Sequence, residues 1–592
     1  MNFLRNLLAS VIGTVIGLGI LFMIFLIFIS VSMAGLAEGE GDLVTVKGNS
    51  VLELHLNEPL RDYGGQFILK DFNFKSEEFN GLNAILRAIK YAETDDKIKG
   101  ISIASTYLMG GTAQVKAVRD ALRDFKESGK FVYAYGDYYM QKDYYLASVA
   151  DSVYLNPVGE IDFRGLSSEV LFFKDLQEQT GIKMEVIRHG KYKSAVEPFL
   201  SDEMSDENRQ QITELLVSMW SSVLNDISES RNIPVSELDT IADNLGARTP
   251  KLAASNKLVD KVGYFDEYEA LLKNAIGIAD DEEINYVEIY DYAEHAKKRI
   301  KTIGKDKIAV VYAEGEIQYG KGNHETIGQG VMMEALREAR DDEDVKAIVL
   351  RVNSPGGSAL ASDIIWREVE MVKKVKPVVV SMGSVAASGG YYIAAGAERI
   401  FAEPSTVTGS IGVFGVVPNI SELADKWGIN AEQVNTNKNS TLYTPFEPVT
   451  EEFRHFALQS IEDVYQTFIK KVSDGRNLTV KKVDSIAQGR VWSGEQAKQL
   501  GLVDEIGGLN DAVAYAAELG GSSEYEMQDY PVFENSLEEI FGSLSGIKMS
   551  QTKEEIIKEE IGEEAYKMFK NIKSFSKLKG VQARMPFEMN IK

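Results

Sequence analysis

Two short stretches carry residue types suited to covalent chemistry. Ala386-Ala387-Ser388-Gly389-Gly390 follows an apolar, strand-like run from Val378 to Met382 and precedes a helical pattern starting near Tyr391. A serine there sits at a helix N-terminus, where unpaired N–H groups and the helix dipole favour developing negative charge. Its small neighbours would let a substrate backbone approach. The same serine would serve equally as an ordinary N-cap. Asn353-Ser354-Pro355-Gly356-Gly357-Ser358 follows the run Ile348 to Val352. Its proline removes a donor and its glycines leave backbone N–H groups uncovered, as an oxyanion hole requires. A plain strand-to-helix turn has the same composition.

A nucleophilic serine needs a base, usually histidine. The chain has five: His55, His189, His295, His324 and His455. Only His189 and His324 lie near glycine-bearing loops. There is no Gly-x-Ser-x-Gly elbow. Ser574-x-x-Lys577 has a β-lactamase-type spacing but lies in a charged tail. The absence of cysteine excludes a thiol nucleophile, disulfides and Cys-ligated zinc.

The chain repeats itself. Ile98-Lys99-Gly100-Ile101 matches Val345-Lys346-Ala347-Ile348, 247 positions on. The same offset carries Val118, Leu122 and Phe125 onto Ile365, Val369 and Val372, the i, i+4, i+7 stripe of an amphipathic helix. It also carries Gly136 onto Gly383, Tyr144-Tyr145 onto Tyr391-Tyr392, and Pro157 onto Pro404. Leu258-Val259-Asp260 matches Leu502-Val503-Asp504 at an offset of 244. Strand-like runs alternate with helical patterns (Ala361 to Val375, Gly390 to Gly396), which predicts α/β units with largely parallel strands. The expected division is 1–43, 44–304 for the first copy, 305–529 for the second, and a charged extension at 530–592 with helical character over Lys553 to Lys570.

Asn353-Ser354-Pro355-Gly356-Gly357, Ala386-Ala387-Ser388-Gly389-Gly390-Tyr391-Tyr392 and Thr408-Gly409-Ser410-Ile411-Gly412, in that order, resemble signal peptide peptidase A (protease IV), of the Clp-protease/crotonase superfamily. Tyr192-Lys193-Ser194-Ala195-Val196-Glu197-Pro198-Phe199 is similar to that family's lysine motif. The resemblance spans nearly the whole chain and fits the long, duplicated form. It implies two tandem Clp/crotonase-like domains after one transmembrane helix, and a serine endopeptidase needing no metal or cofactor. It implies Ser388 as nucleophile, Lys193 as general base and Ser410 as an orienting hydroxyl. Gly389 with Gly356 or Gly357 would form the oxyanion hole. Peptide substrates, cleaved signal peptides among them, and a homo-oligomer are implied too.

The repeat bears on this independently. Gln141 stands where the first copy would carry Ser388, and Ser440 where the second would carry Lys193. Each copy keeps one half of a dyad. Lys438, two residues before Ser440, is the only other lysine near that slot. Free lysine titrates near pH 10.4, so it becomes a base only if burial disfavours its ammonium. Tyr192, Ala195, Val196 and Phe199 are the expected apolar surroundings.

The bulk properties narrow the partners. With 592 residues, 44% hydrophobic and 26% charged, this is multi-domain globular protein. A net charge of −25 argues against nucleic acid and against broad docking on anionic lipid. No charge interrupts Leu7 to Ala37, long enough for a membrane span. Arg5 before it and Glu38, Glu40 and Asp42 after it predict an inner-membrane anchor with the remainder on the non-cytoplasmic, periplasmic side. Ala9, Gly13 and Gly17 form a small-residue stripe suited to helix pairing. Two other readings compete. An acyl-CoA enzyme of crotonase type is disfavoured by the apolar run and the acidic charge. An inactive membrane scaffold is disfavoured by the complementary retention of Ser388 and Lys193.

Overall fold

The computed structural model describes residues 13, 17–23, 45–69, 74–77, 81–104, 107–299, 305–535 and 582–585. Of the apolar N-terminal run, residues 13 and 17–23 are helical. The rest of that run, the helical pattern at 553–570, and Ser574 and Lys577 lie outside the described residues. Among the described residues no helix is long and apolar enough to cross a membrane.

Each copy is built on a parallel sheet. In the first the spatial order is Lys261–Val262, Ser152–Leu155, Phe131–Gly136, Ile98–Ile103, Ser50–Leu54, Asn285–Glu288. The second repeats it with Glu505–Ile506, Arg399–Ala402, Val378–Ala387, Val345–Ser354, Lys307–Glu314, Glu526–Tyr530. Runs such as Ile348-Val349-Leu350 and Val378-Val379-Val380 are apolar at every position because helices cover both sheet faces. The predicted stripes are the buried ones. Val118, Leu122 and Phe125 in helix Thr112–Lys126, and Ile365, Val369 and Val372 in helix Ala359–Val372, are all fully buried.

The elements are longer or shorter than the sequence pattern suggests where tertiary pairing takes over. The strand expected over Val378 to Met382 continues to Ala387. Past Met382 it is held by Val407–Gly409, through pairs such as Ala386 with Thr408. Gly356–Ser358, expected as a turn, is a short strand. It belongs to a third sheet that neither copy forms alone: Thr326–Gly328, Glu316–Gln318, Gly356–Ser358, Gln582–Arg584, Phe414–Asn419, Lys183–Arg188. There Lys183–Arg188 of the first copy pairs antiparallel with Phe414–Asn419 of the second over six residues.

A buried ion pair also joins the copies. Arg351 Nη2 lies 2.9 Å from Asp62 Oδ1, and both side chains are almost fully enclosed. Arg351 Nη1 donates to Ser381 Oγ (2.8 Å) and to the Met382 carbonyl (3.0 Å). Removing one member of such a pair strands the other charge, at a cost of about 3–5 kcal/mol. Asp62→Ala is therefore expected to lower the thermal unfolding midpoint, measured by calorimetry. The double change Asp62→Leu with Arg351→Met is expected to recover most of the loss.

Candidate active site

Ser388 ends the strand Val378–Ala387 and caps the short helix Gly389–Ala394. Its backbone has φ 55° and ψ −113°, a conformation non-glycine residues rarely adopt, held by its N–H donating to the Gly409 carbonyl at 2.8 Å. The serine side chain makes no capping hydrogen bond, and the Tyr392 N–H donates to the Ser388 carbonyl at 2.8 Å as the helix's first backbone bond. Oγ is then available to face Lys193.

Lys193 arrives from the first copy. The loop that carries it leaves strand Lys183–Arg188 and is fastened to the second copy by backbone bonds. His189 N–H donates to the Val413 carbonyl (3.2 Å), and Tyr192 N–H to the Gln488 carbonyl (3.0 Å). Lys193 Nζ lies 2.9 Å from Ser388 Oγ, 3.0 Å from Ser410 Oγ and 3.1 Å from the Ser410 carbonyl. Lys193, Ser388 and Ser410 are all fully buried. Burial alone pushes the Lys193 amine well below the ordinary lysine value. A neutral amine has two donors and one lone pair. The two oxygens of Ser410 can accept from two of its hydrogens, and the remaining direction of Nζ faces the Ser388 hydroxyl.

The apolar wall differs in part from expectation. Ala195, Val196 and Phe199 pack with Phe414 and Val416, and the Phe414 ring centre lies 5.9 Å from Lys193 Nζ. Tyr192 instead stacks under the guanidinium of Arg490, at 5.0 Å. The rival bases are engaged elsewhere. His189 Nδ1 lies 2.6 Å from Glu462 Oε2. Lys438 is 81% exposed, with its amine 3.8 Å from Glu452 Oε1.

The glycine turns meet over the serine. A methyl group placed on Gly356 would come within 2.6 Å of the Gly389 nitrogen, so the two backbones adjoin. Gly356 and Gly357 have φ of +95° and +154°. Gly356 N–H donates to Ser354 Oγ at 3.1 Å. Across this turn runs the chain's own strand Gln582–Arg584, antiparallel to Gly356–Ser358 on one side and bridged to Phe414 on the other. The same hypothetical methyl on Gly356 would lie 2.2 Å from the Ala583 carbonyl oxygen. Met585 N–H donates to the Pro355 carbonyl at 2.6 Å, and its side chain is buried with Leu215, Met219, Ala387 and Val491.

The first copy's corresponding turn is chemically closed. Gln141 opens helix Gln141–Ala147, and its side chain is tied to the backbone of Arg164 and Gly165. Asp143 accepts from the N–H groups of Tyr107 (3.0 Å), Leu108 (2.8 Å) and Met140 (3.1 Å). A carboxylate thus covers donors that would otherwise face a ligand.

Gly489 went unrecognised in the sequence. It has φ +85°, and a methyl there would come 2.6 Å from Lys193 Cβ. The only signal was its place in Gln488-Gly489-Arg490, which looks like any polar turn.

Comparison with known proteins agrees with this architecture. The model of peptidase family S49 matches residues 124–278 and again 370–522, and the Clp protease model matches 289–409. The chain belongs to peptidase family S49, with the family domain present twice, and is a serine peptidase. It is 39% identical over 463 residues to Protease 4 of Haemophilus influenzae, covering 76% of this chain and 74% of that one. Protease 4 of Salmonella typhi is 35% identical over 564 residues, covering 92% and 89%. The chloroplastic serine protease SPPA of Arabidopsis thaliana is 34% identical over 433 residues, covering 72% and 64%.

Gly489→Ala is expected to displace the lysine and cut the peptidase rate by about 100-fold, since misplacing a reacting group by about 1 Å has that effect. Its thermal midpoint should change far less than its rate. Because residues 582–585 lie across the site, a chain ending at residue 580 is expected to react faster with a fluorophosphonate, read as the labelling rate at Ser388.

Proposed function

We propose that this protein is a membrane-tethered endopeptidase with a Ser388–Lys193 dyad that degrades extended peptides, cleaved signal peptides among them. The observation that carries the reading is the 2.9 Å approach of a fully buried, desolvated lysine to a serine in a strained turn. Ser388 Oγ attacks the scissile carbonyl carbon as Lys193 Nζ takes its proton. The oxyanion is held by the N–H groups of Gly389 and of Gly357, or of Gly356 once its bond to Ser354 Oγ is released. The Lys193 ammonium then protonates the leaving amine, giving an acyl-enzyme on Ser388. Lys193 next activates the water that hydrolyses the ester. Ser410 keeps the amine aimed throughout. Peptide binds as an added strand between Gly356–Ser358 and Phe414–Asn419, the place taken by residues 582–584 in the chain alone.

The domain reading that goes with this is an anchor at 1–43, copies at 44–304 and 305–529, and an extension at 530–592. The uncharged run from Leu7 to Ala37 supports an inner-membrane anchor with both copies on the periplasmic side. The small-residue stripe of Ala9, Gly13 and Gly17 supports self-association.

The test is paired substitution. Ser388→Ala is expected to abolish both peptide cleavage and fluorophosphonate labelling. Lys193→Met is expected to lower kcat by at least 1,000-fold while the fold is kept, measured with a fluorogenic peptide. In the wild-type enzyme the rate should rise with pH as the buried amine loses its proton. Stability runs the same way. A lysine whose folded pKa is depressed binds fewer protons folded than unfolded, so its burial costs stability below the ordinary value of about 10.5 and the cost fades as pH rises towards it. Lys193→Met should therefore melt no lower than wild type at neutral pH, and any advantage should shrink in alkali. Full peptidase activity in Lys193→Met would overturn the dyad.

A further inference from the structure

The first copy's closed turn is the floor of a cavity of about 260 Å³, lined by Tyr107, Leu108, Val115, Met140, Leu166 and Val223 among others. Four of these stand 247 positions before residues at the catalytic turns: Tyr107 before Ser354, Leu108 before Pro355, Val115 before Ser362 and Met140 before Ala387. The cavity is thus the first copy's counterpart of the catalytic groove. Small and polar linings have become large and apolar ones.

Most of its polar groups are already engaged. Asp143 is taken by three backbone N–H groups, Gln141 by the backbone at 164–165, and Lys142 Nζ donates to the Gly110 carbonyl at 2.8 Å. What remains open to a ligand is mainly apolar. Of its lining, Tyr107 and Met140 are 64% and 37% exposed, and Met109 and Tyr138, their near neighbours in the chain, are exposed as well. Grouped exposed apolar side chains of this kind mark a contact surface, and methionine adapts to varied partners. The volume falls below the roughly 300 Å³ at which small-molecule pockets begin, and suits one or two side chains.

The cavity adjoins the catalytic groove. Along helix Asp206–Arg231, Leu215 and Met219 pack in the cluster that holds Met585, and Val223, one turn further, lines the cavity. Leu166 borders both. Four helical residues advance about 6 Å, which an extended chain covers in about two residues at roughly 3.3 Å each. The strand Gln582–Arg584 runs towards this end, with Met585 last.

We propose that this cavity is an exosite for the same peptide that enters the catalytic groove, taking an apolar side chain a few residues C-terminal to the position held by Met585. The proposal rests on the peptidase reading above. The inactive copy then selects substrates by length and by downstream hydrophobicity without touching the reacting atoms.

The test uses the full chain and two fluorogenic peptides with the same cleaved core. One stops at the position equivalent to Met585, and the other continues for six residues containing leucine and phenylalanine. The longer peptide is expected to have a KM about 10-fold lower, the effect of burying roughly one apolar side chain. Met140→Glu, which places charge at the rim, and Thr112→Phe, which fills the cavity, are each expected to erase that advantage while leaving kcat and the shorter peptide unchanged. Thr112→Phe carries the test if Met140→Glu does not fold. Equal KM for the two peptides in wild type, or an equal loss for both in the variants, would overturn the exosite. Anisotropy of the labelled longer peptide on Ser388→Ala protein, with and without Thr112→Phe, reads the exosite even if no peptide is cleaved. Unchanged binding there would overturn it separately from the dyad.

Discussion

An amine buried without a counter-charge is the constraint around which the rest of this molecule is arranged. Desolvation is the one influence on Lys193, and it works only if water and carboxylates are kept away from Nζ. A carboxylate within hydrogen-bond reach would restore the ammonium and end its use as a base. The pocket is therefore made of hydroxyls, a carbonyl and the Phe414 ring. Gly489 and Gly412 close against the lysine stem, where a methyl would come 2.6 Å from Cβ and 3.3 Å from Cδ respectively. Such a site offers little stability in return, so it must be imposed by its surroundings.

Those surroundings come from both copies. The second copy supplies the strained serine and the glycine turns. The first reaches over with Lys183–Arg188, pairs with Phe414–Asn419, and so sets the lysine loop against the serine. The buried pair of Arg351 and Asp62 fixes the copies elsewhere. In the first copy Gln141 stands at the position equivalent to Ser388, tied to the backbone of Arg164 and Gly165. The turn's donors are capped by Asp143. The fold is repeated there with the turn's donors and side chains engaged within the copy.

The repeat, the parallel α/β class and the buried helix stripes were legible in the chain because they follow from local periodicity. An all-apolar strand or an i, i+4, i+7 helix face needs no knowledge of its neighbours. That Ser388 and Lys193 would meet was legible as well, through motif resemblance and through the complementary gaps at Gln141 and Ser440. Gly489 was not, nor was the exchange of Tyr192 for Phe414 in the lysine wall. These depend on which loops meet across more than 200 positions of chain.

The sequence by itself thus determined the domain type and its duplication, since each is written in short windows or in a fixed offset. Only the tertiary structure decided that Lys193 Nζ would stand 2.9 Å from Ser388 Oγ with no carboxylate paired to it among the described residues. It also decided that residues 582–584 would lie between the two strands flanking the site. The reason is physical. A pKa and a groove are properties of what surrounds a residue in space, and desolvation is summed over neighbours that the chain brings together only when it folds.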